Sequence, residues 1–269
     1  MTQRVFITGG AGGLGRALAQ QLTATGAQVL IGDIDHAAAQ KTATEIGATA
    51  IRCDVTSTDD LNAVATWLQT TWGGVDLVIN NAGVAQMGPL DQTPIDDWQW
   101  IIDINVLGSV RCAQALAPIM PPGSQMLNIA SMAAMLYLPN SAAYNASKAA
   151  VLAISETLML EWEPRGISVH VACPSFFRTD LARNMRASDG ATRAMTTRMV
   201  ERARISADDV AATILSGLAK GTPHILTHKP AFKSWLFKRY LPFSMYLNMM
   251  RKQLAALDAR LKTPSKSKR

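Results

Sequence analysis

A tyrosine and a lysine four residues apart, Tyr144 and Lys148, have the residue types and spacing of a proton-transfer pair. If the surrounding segment is helical, both side chains lie on one face of the helix. A free phenol has a pKa of about 10 and is a poor proton acceptor at neutral pH, whereas a neighbouring cation stabilises the phenolate. Because Tyr-x-x-x-Lys also occurs by chance on helix surfaces, the rest of the chain must decide whether this pair is chemical.

The elements that would position this pair follow from the apolar pattern. Short apolar runs predict strands, and the amphipathic stretches between them predict helices. This alternation indicates an α/β fold with a doubly wound, seven-stranded parallel sheet, helices on both faces and a helical C-terminal extension. Thr93 and Pro94 are predicted as N-cap and first residue of the fourth helix. Strands are predicted at 3–8, 28–33, 49–53, 75–80, 124–130, 167–173 and 224–227, and helices at 13–25, 36–47, 57–72, 94–117 and 143–163.

The composition suits one large domain. The chain has 269 residues, of which 48% are hydrophobic and 17% charged, so it can bury a sizeable core. The three cysteines are scattered without metal-ligand spacing, which predicts reduced thiols, a cytoplasmic location and no metal site. A strand begins near residue 4, so no signal peptide is expected, and no apolar run is long enough to predict a spanning helix.

The positive charge is concentrated near the C-terminus. The formal net charge is +6, but residues 229–269 hold eleven basic residues and one acidic residue, which leaves 15 basic and 19 acidic residues in the rest. A mildly acidic body disfavours nucleic-acid binding. We therefore divide the chain into a domain at residues 1–228 and a basic, amphipathic extension at residues 229–269.

The first predicted strand runs into a glycine-rich turn at residues 8–15, and a helix follows. Glycines let the backbone approach a pyrophosphate, and the helix N-terminus supplies N–H donors to the phosphates. A glycine-rich turn without a ligand is the alternative. The glycines fit two registers: G-x-G-x-x-G at Gly10, Gly12 and Gly15, or T-G-x-x-x-G-x-G from Thr8 through Gly9 and Gly13 to Gly15.

The second strand ends at Asp33, at the distance from the glycine turn where an acid binds the ribose hydroxyls of adenosine. A carboxylate there repels the additional 2′-phosphate of NADP. Neither Gly12 nor Ile34 supplies a compensating base, so the sequence favours NAD, with NADP as the alternative cofactor. An Asp solvated in a loop is the competing interpretation.

Small and polar residues also follow the third and fourth strands, as Asp54-Val55 and Asn80-Asn81-Ala82-Gly83. Both segments lie at carboxyl ends of predicted parallel strands, where open α/β sheets bind ligands. Their side chains suit an adenine edge and a close approach of the backbone. Each segment alone would more often be a turn.

Taken in order, these residues and three further sites resemble the short-chain dehydrogenase/reductases. The resemblance covers residues 3–227, implies a single-domain Rossmann fold that binds NAD(P), and favours the register with Gly9, Gly13 and Gly15. The matching residues are T-G-x-x-x-G-x-G at Thr8–Gly15, Asp54, N-N-A-G at Asn80–Gly83, Asn105, Ser131 and Y-x-x-x-K at Tyr144–Lys148.

The resemblance implies an oxidoreductase that interconverts an alcohol and its ketone or aldehyde by hydride transfer. It implies that Tyr144 is the general acid/base and that Lys148 lowers the phenol pKa and binds the nicotinamide ribose. Ser131 would polarise the reacting oxygen, and Asn105 would support a water connected to Lys148. The implied cofactor-binding residues are Gly9, Gly12, Gly13, Leu14, Gly15, Asp33, Asp54, Val55, Asn81, Ala82, Gly83, Tyr144, Lys148, Pro174 and Thr179.

The segment after the sixth strand is expected to meet the substrate. Pro174–Thr179 resembles the family's P-G-x-x-x-T segment, although Ser175 replaces the glycine. Residues 180–205 show no strand pattern and are a candidate substrate lid. Apolar residues here predict a lipophilic substrate, although methionine more often fills cores. These residues are Met132, Leu136, Phe176, Phe177, Met185, Met195 and Met199.

The extension carries an apolar stripe at helical spacing among basic residues. It is similar to the hydroxysteroid and retinol dehydrogenase-type branch, whose extended C-termini often associate with membranes. We therefore predict peripheral contact with the inner face of a membrane through residues 232–269. A helix pair packed on the body or on a dimer partner is the alternative. The family resemblance also implies a homodimer or homotetramer.

Two other functions remain open from the sequence. One is a catalytically silent, dinucleotide-binding regulatory protein, since a fold does not fix a function. The intact set of Asn105, Ser131, Tyr144 and Lys148 argues against it. The other is a membrane-surface interaction protein that acts through its C-terminal tail.

Overall fold

A computed structural model describes residues 2–179 and 184–262. Its main element is a seven-stranded, fully parallel sheet with the strand order β3-β2-β1-β4-β6-β7-β9, which confirms the predicted sheet. A second, two-stranded parallel sheet pairs β5 with β8 and was not predicted. The strands are β1 Arg4–Thr8, β2 Gln28–Asp33, β3 Thr49–Arg52, β4 Leu77–Asn80, β5 Gln86–Met87, β6 Gln125–Ile129, β7 Ser168–Ala172, β8 Arg186–Ala187 and β9 His224–Ile225.

The strand order reverses between β1 and β4. Successive strands extend from β1 toward β3 on one side and from β4 toward β9 on the other. In open α/β sheets, ligands bind in the crevice at the carboxyl ends of the strands at this switch point. The loops after β1 and β4 carry the glycine turn and the N-N-A-G motif, so the fold brings the two motifs together.

Helices cover both faces of the sheet. The five predicted helices are present, but the fourth is interrupted by a π-helical stretch at Asp103–Leu107, and two helices after β8 were not predicted. The α-helices are α1 Gly13–Ala24, α2 His36–Ile46, α3 Thr58–Trp72, α4 Ile95–Ile102, α5 Gly108–Leu116, α6 Ala142–Glu161, α7 Gly190–Glu201, α8 Ala207–Ala219, α9 Lys229–Tyr240 and α10 Phe243–Lys262.

The sheet separates two apolar layers. In β1, Val5 and Ile7 point into one layer with residues of α1, α2 and α8. Phe6, between them, points into the other layer with residues of α3 and α5. Successive side chains of a strand alternate between faces, so a strand that is apolar throughout can be buried on both.

Local sequence marks the helix ends. Asp35 caps α2 by accepting a 3.0 Å hydrogen bond from the N–H of Ala38, and Gly47 ends that helix in the left-handed conformation. Ser206 and Asp209 form a reciprocal capping box at the start of α8.

The predicted cap of α4 is wrong. Pro94, not Thr93, is the N-cap residue, and no side chain caps the helix. The Thr93 hydroxyl donates to the carbonyl oxygen of Pro89 at 2.8 Å and accepts from Gln86 at 3.2 Å. Thr93 therefore connects the turn before α4 to β5 instead.

The chain divides into two compact units, Met1–Thr227 and His228–Arg269. In the second unit, helices α9 and α10 bring Phe232 and Trp235 within 5.9 Å, and Phe243 and Tyr246 within 5.8 Å, between ring centroids. None of the helices within residues 2–179 and 184–262 is long and apolar enough to cross a membrane.

Candidate active site

Helix α6 places Tyr144 and Lys148 one turn apart near the carboxyl end of the sheet. The Lys148 side chain is only 5% exposed. Its Nζ donates a 2.9 Å hydrogen bond to the carbonyl oxygen of Ile129, the last residue of β6. The lysine therefore ties α6 to the strand that leads to Ser131.

Ser131 lies two residues after β6 and meets the Tyr144 phenol. The Ser131 hydroxyl acts as a hydrogen-bond partner that favours the phenolate and so acts to lower the pKa of Tyr144. The Ser131 Oγ also accepts from the N–H of Ala133 at 3.1 Å and lies 3.3 Å from the carbonyl oxygen of Pro174. Ser131 is thus the N-cap residue of the short 3-10 turn Met132–Ala134, and this cap holds its side chain just after β6.

Asn105 lies in the π-helical stretch between α4 and α5 and is 1% exposed. Its Nδ2 donates to the carbonyl oxygen of Val84 and to Ser147 Oγ, both at 3.0 Å, and its Oδ1 accepts from the N–H of Val84 at 2.8 Å. Such stretches are rare and often occur at functional sites. Here the amide bridges the loop after β4 and α6, while the implied support of a water stays a prediction.

Burial shifts the pKa values of the pair in opposite directions. It raises the pKa of Tyr144 above its ordinary value, and the hydrogen bond with Ser131 opposes this with a smaller effect. Burial lowers the pKa of Lys148 to about 8. Both shifts favour the neutral form. The lowering of the phenol pKa by Lys148 that the family resemblance implies therefore stays a prediction, because burial dominates the pKa of Tyr144 in this structure.

Cys173 is a buried group beside this site that the sequence motifs do not include. It follows β7 directly and has no exposed surface. Burial raises the pKa of its thiol to about 12, although Lys148 and Ser131 both act to lower it. The thiol therefore stays protonated at neutral pH. Its position just before Pro174, at a strand end shared with the site, is the signal that could have identified it.

The glycine turn has the shape of a phosphate cradle. Gly9 and Gly13 adopt positive φ values of +64° and +53°. A Cβ at Gly15 would lie 2.2 Å from the carbonyl oxygen of Gly9, so only glycine fits there. Gly12 is the extended N-cap residue of α1 without a side-chain cap, and Leu14 is buried. The first-turn N–H groups of α1 therefore have no side-chain partner at the cap, which is the arrangement that anions bind.

Both acids of the predicted nucleotide site are held by backbone groups. The Asp33 carboxylate accepts from the N–H of Ala11 at 3.0 Å and from the N–H of Asp35 at 3.1 Å. Asp33 therefore fastens the end of β2 to the glycine turn. Asp54 Oδ1 accepts from the N–H of Thr56 at 2.9 Å and from its hydroxyl at 2.7 Å, and the intervening Val55 is buried.

The N-N-A-G loop is fastened to the same turn. Asn81 Nδ2 donates to the carbonyl oxygens of Thr8 and Gly9 at 3.0 and 2.9 Å. The Thr8 hydroxyl accepts from the N–H groups of Asn81 and Ala82, both at 3.0 Å. The side-chain nitrogen Nδ2 of Asn81 thus donates to the glycine turn rather than to an adenine edge. A Cβ at Gly83 would lie 3.3 Å from Lys148 Nζ, so this loop also reaches the Tyr144–Lys148 pair.

The loop after β7 meets the Ser131 turn. The carbonyl oxygen of Pro174 accepts from the N–H of Met132 at 2.8 Å, and Thr179 is partly buried five residues further on. Residues 180–183 of the predicted lid lie outside the described residues. The described remainder contains β8 and α7, so the prediction that 180–205 holds no strand is wrong at Arg186–Ala187.

An apolar cluster packs against Tyr144. Ala85, Met87 and Met185 are buried together, and the partly buried Tyr144 lies against them. Phe177, in contrast, packs against the core layer of α1 and α8, so its predicted place in the pocket is wrong.

Among the residues that the structure describes, no group of three His, Cys, Asp or Glu side chains is arranged to hold a metal ion.

Comparison with known proteins assigns the family. The family described as Enoyl-(Acyl carrier protein) reductase matches residues 9–222. The chain is 30% identical over 226 residues to an uncharacterized short-chain type dehydrogenase/reductase of Sinorhizobium fredii, with 83% of this chain and 41% of that protein covered. It thus spans less than half of that relative's length. It is also 30% identical over 238 residues to 3beta-hydroxysteroid dehydrogenase 1 of Eggerthella lenta, with 85% and 90% covered.

The fold agrees with these relationships. The structure of a short-chain dehydrogenase/reductase from Burkholderia phymatum in complex with NAD superimposes with a TM-score of 0.84 at 27% identity, covering 88% of this chain and 93% of that one. The sheet order, the glycine turn and the extent of these matches define a Rossmann-like α/β fold. The chain belongs to the short-chain dehydrogenase/reductase family.

Proposed function

We propose that the protein is an NAD(H)-dependent oxidoreductase that interconverts an alcohol and its ketone or aldehyde. One observation carries the proposal: Tyr144, Ser131 and Lys148 converge at the end of β6, beside the loop after β4 that is hydrogen-bonded to the glycine cradle. The cradle, the uncapped start of α1 and Asp33 fit a dinucleotide. The nicotinamide of a dinucleotide bound there would accept or supply a hydride.

The chain's own residues handle the proton. Tyr144 donates its phenolic proton to the carbonyl oxygen in reduction and takes the hydroxyl proton in oxidation. The raised pKa keeps this phenol protonated at neutral pH. Ser131 holds the reacting oxygen through the hydroxyl that already meets Tyr144. Lys148, with a pKa of about 8, fixes α6 against β6 and carries positive charge below that pH.

Asn105 and the loops complete the proposed site. Asn105 positions α6 through Ser147. The proposed cofactor contacts include the backbone of Asn81, Ala82 and Gly83, which lies between the cradle and Lys148. They also include the turn Asp54–Val55 and the loop from Pro174 to Thr179. The remaining contacts are Gly9, Gly12, Gly13, Leu14, Gly15 and Asp33.

Asp33 favours NAD over NADP. Its carboxylate stands at the end of β2, next to the cradle, where it would repel a 2′-phosphate. The Burkholderia phymatum relative is described in complex with NAD, which supports this preference. NADP is the alternative cofactor.

The substrate is proposed to be lipophilic. Met87 and Met185 form an apolar wall against Tyr144, and methionine adapts to varied apolar shapes. The Eggerthella lenta relative, whose name describes a hydroxysteroid dehydrogenase, supports a place near the hydroxysteroid-type branch. A homodimer or homotetramer, as implied by the family, is proposed with it.

A second candidate function is contact with a membrane surface through residues 232–269. Its supporting observation is the exposure of Tyr240 at 74% and Phe243 at 58%, in a segment with a net charge of +10 from Lys229 to Arg269. Aromatic side chains beside basic residues suit an anionic lipid interface. This contact would place the enzyme at the inner face of a membrane.

The catalytic proposal is tested by following NADH formation with alcohols graded in chain length and ring size. Wild type is expected to oxidise at least one of them, and Tyr144→Phe to lose at least about a hundredfold in kcat, as loss of a general acid/base requires. Binding of NADH without turnover of any alcohol would instead favour the silent regulatory protein. Equal turnover by Tyr144→Phe would remove the role given to this residue.

A further inference from the structure

The short strand β8 brings Met185 to the Tyr144 side of the site. Met185 immediately precedes β8, is 2% exposed and packs with Ala85, Met87 and Tyr144. Because β8 is only two residues long, its register decides where this side chain lies.

The backbone pairing of β8 is weak by itself. Two hydrogen bonds of 3.0 Å connect the N–H of Arg186 to the carbonyl oxygen of Ala85, and the N–H of Ser188 to that of Met87. An isolated two-stranded sheet is at best marginally stable in water. A Cβ at Gly88 would lie 2.5 Å from Ser188 Oγ, so the approach depends on a glycine.

The Arg186 side chain adds a specific attachment. Its Nη1 donates a 2.8 Å hydrogen bond to Asp97 Oδ1, and its guanidinium carbon lies 4.1 Å from the ring centroid of Trp100. Asp97 and Trp100 are three residues apart on α4 and share one helix face. Together they hold the guanidinium by charge and by stacking on the ring.

We infer that Arg186 is a positioning residue, which holds Met185 against Tyr144 and so sets the preference for bulky apolar substrates. This inference rests on the proposed oxidoreductase function. Arg186 acts through Met185 and does not contact the reacting atoms. Without the attachment to α4, β8 separates more often from β5, and the apolar wall beside Tyr144 is lost during those openings.

The first test is independent of turnover. In full-length protein, amide hydrogen exchange at Arg186 and Ser188 is measured for wild type, Arg186→Ala, Arg186→Lys and the control Arg193→Ala, an exposed arginine on α7. We expect exchange about tenfold faster in Arg186→Ala, the combined effect of an ion pair and a cation–π contact. Arg186→Lys keeps the charge and should be intermediate, and Arg193→Ala should match wild type.

The second test uses kinetics with two alcohols. For Arg186→Ala, KM for a large apolar alcohol should rise about tenfold, while kcat, KM for propan-2-ol and the dissociation constant of NADH stay within about twofold of wild type. A general loss of structure would change all four quantities. Asp97→Asn should have a similar effect on KM, and the double variant little more, because the two residues act as one unit.

The inference is overturned if amide exchange is unchanged in Arg186→Ala, or if Arg193→Ala accelerates exchange as much as Arg186→Ala does. It is also overturned if KM changes equally for the large and the small alcohol. Failure of the proposed function would look different. If wild type oxidises no alcohol, the oxidoreductase proposal falls, and the exchange comparison still decides whether Arg186 holds β8.

Discussion

At the scale of single residues, Tyr144 and Lys148 respond to burial in opposite ways. Burial penalises the charged form of each, so the phenol pKa is raised and the ammonium pKa falls to about 8. The lysine is therefore close to its titration midpoint in mildly alkaline solution, while the tyrosine remains protonated. A spacing of four residues predicts that the two side chains are neighbours, but the direction of each shift depends on burial in the folded protein.

Lys148 should make the stability of the protein depend on pH. Its folded pKa of about 8 lies below the ordinary 10.5, so the unfolded state binds the proton more tightly. The contribution to stability is present above the unfolded pKa and is lost as the pH falls through 8. Between pH 7.5 and 9.5 the free energy of unfolding should rise by roughly 2 kcal/mol more in wild type than in Lys148→Met.

Urea unfolding at several pH values measures this difference. Lys41→Met, which removes an exposed lysine of α2, is the control and should keep the wild-type dependence. Parallel curves for wild type and Lys148→Met would mean that the lysine titrates at its ordinary pKa.

Asp33 combines a structural and an electrostatic role, and Asp33→Asn separates them. The amide oxygen can still accept from the N–H of Ala11, but the charge that repels a 2′-phosphate is gone. We expect the ratio of NAD to NADP affinity to fall at least about tenfold, or about 1.4 kcal/mol, in fluorescence titrations. Asp35→Asn is the neighbouring control. An unchanged ratio would show that Asp33 does not discriminate between the cofactors.

At the scale of elements, buried polar contacts fix α6 on the sheet. Asn105 reaches Ser147 at 3.0 Å, Lys148 reaches the end of β6, and Asn128 Nδ2 donates to Ser155 Oγ at 2.9 Å. The last pair is fully enclosed by protein. These contacts determine how far along the strand Tyr144 stands.

Removing the hydroxyl of Ser155 should therefore destabilise the protein. Ser155→Ala leaves the buried Asn128 amide without that partner, at a cost of about 1–3 kcal/mol in the free energy of unfolding. Thr157→Ala removes an exposed hydroxyl that bonds back along the same helix and should change stability by less than about 0.5 kcal/mol. Denaturant unfolding of both variants makes the comparison, and equal effects would contradict the role of the buried pair.

The glycine cradle should not tolerate a methyl group at Gly15. A Cβ there would lie 2.2 Å from the carbonyl oxygen of Gly9, so Gly15→Ala must displace the turn. We expect NADH binding to weaken at least about tenfold in fluorescence titrations, since the backbone N–H groups would no longer converge. Gly190→Ala, where a Cβ would meet nothing within 4 Å, should bind NADH like wild type.

The main sheet could be predicted because its strands are continuous apolar runs buried on both faces, as Val5, Phe6 and Ile7 show. Strands β5 and β8 could not, since two residues carry no periodicity and their pairing depends on Gly88 and Arg186. Likewise, family spacing could predict that Ser131, Tyr144 and Lys148 lie close together. The commitment of Asn81 to the glycine turn is a tertiary contact that spacing does not reveal.

At the scale of the whole molecule, charge and exposed apolar surface are unevenly distributed. The body carries 15 basic and 19 acidic residues, whereas Lys229 to Arg269 carries eleven basic residues and one acidic residue. Several large apolar residues near the junction of α9 and α10 are also exposed, among them Tyr240, Leu241, Phe243 and Met245. An anionic membrane surface would contact both the basic residues and the exposed apolar side chains.

Vesicle co-sedimentation tests this contact. Wild type should pellet with vesicles that contain phosphatidylserine and less with pure phosphatidylcholine, because basic segments are attracted to anionic lipid. Phe243→Ser combined with Met245→Ser should reduce pelleting severalfold. Leu160→Ser, which changes an apolar side chain of the body that is 74% exposed, is the control. Equal pelleting of all three proteins would remove the membrane proposal.

The π-helical stretch Asp103–Leu107 makes the length of the chain critical at this point. A π turn holds one residue more than an α turn, so deleting a single residue there would let α4 and α5 join as one regular helix. Each residue of an α-helix advances the direction of side chains by about 100°, and Asn105 would then point away from Val84 and Ser147. The Asn105 bridge to Val84 and Ser147 therefore depends on the number of residues between α4 and α5 as well as on their identity.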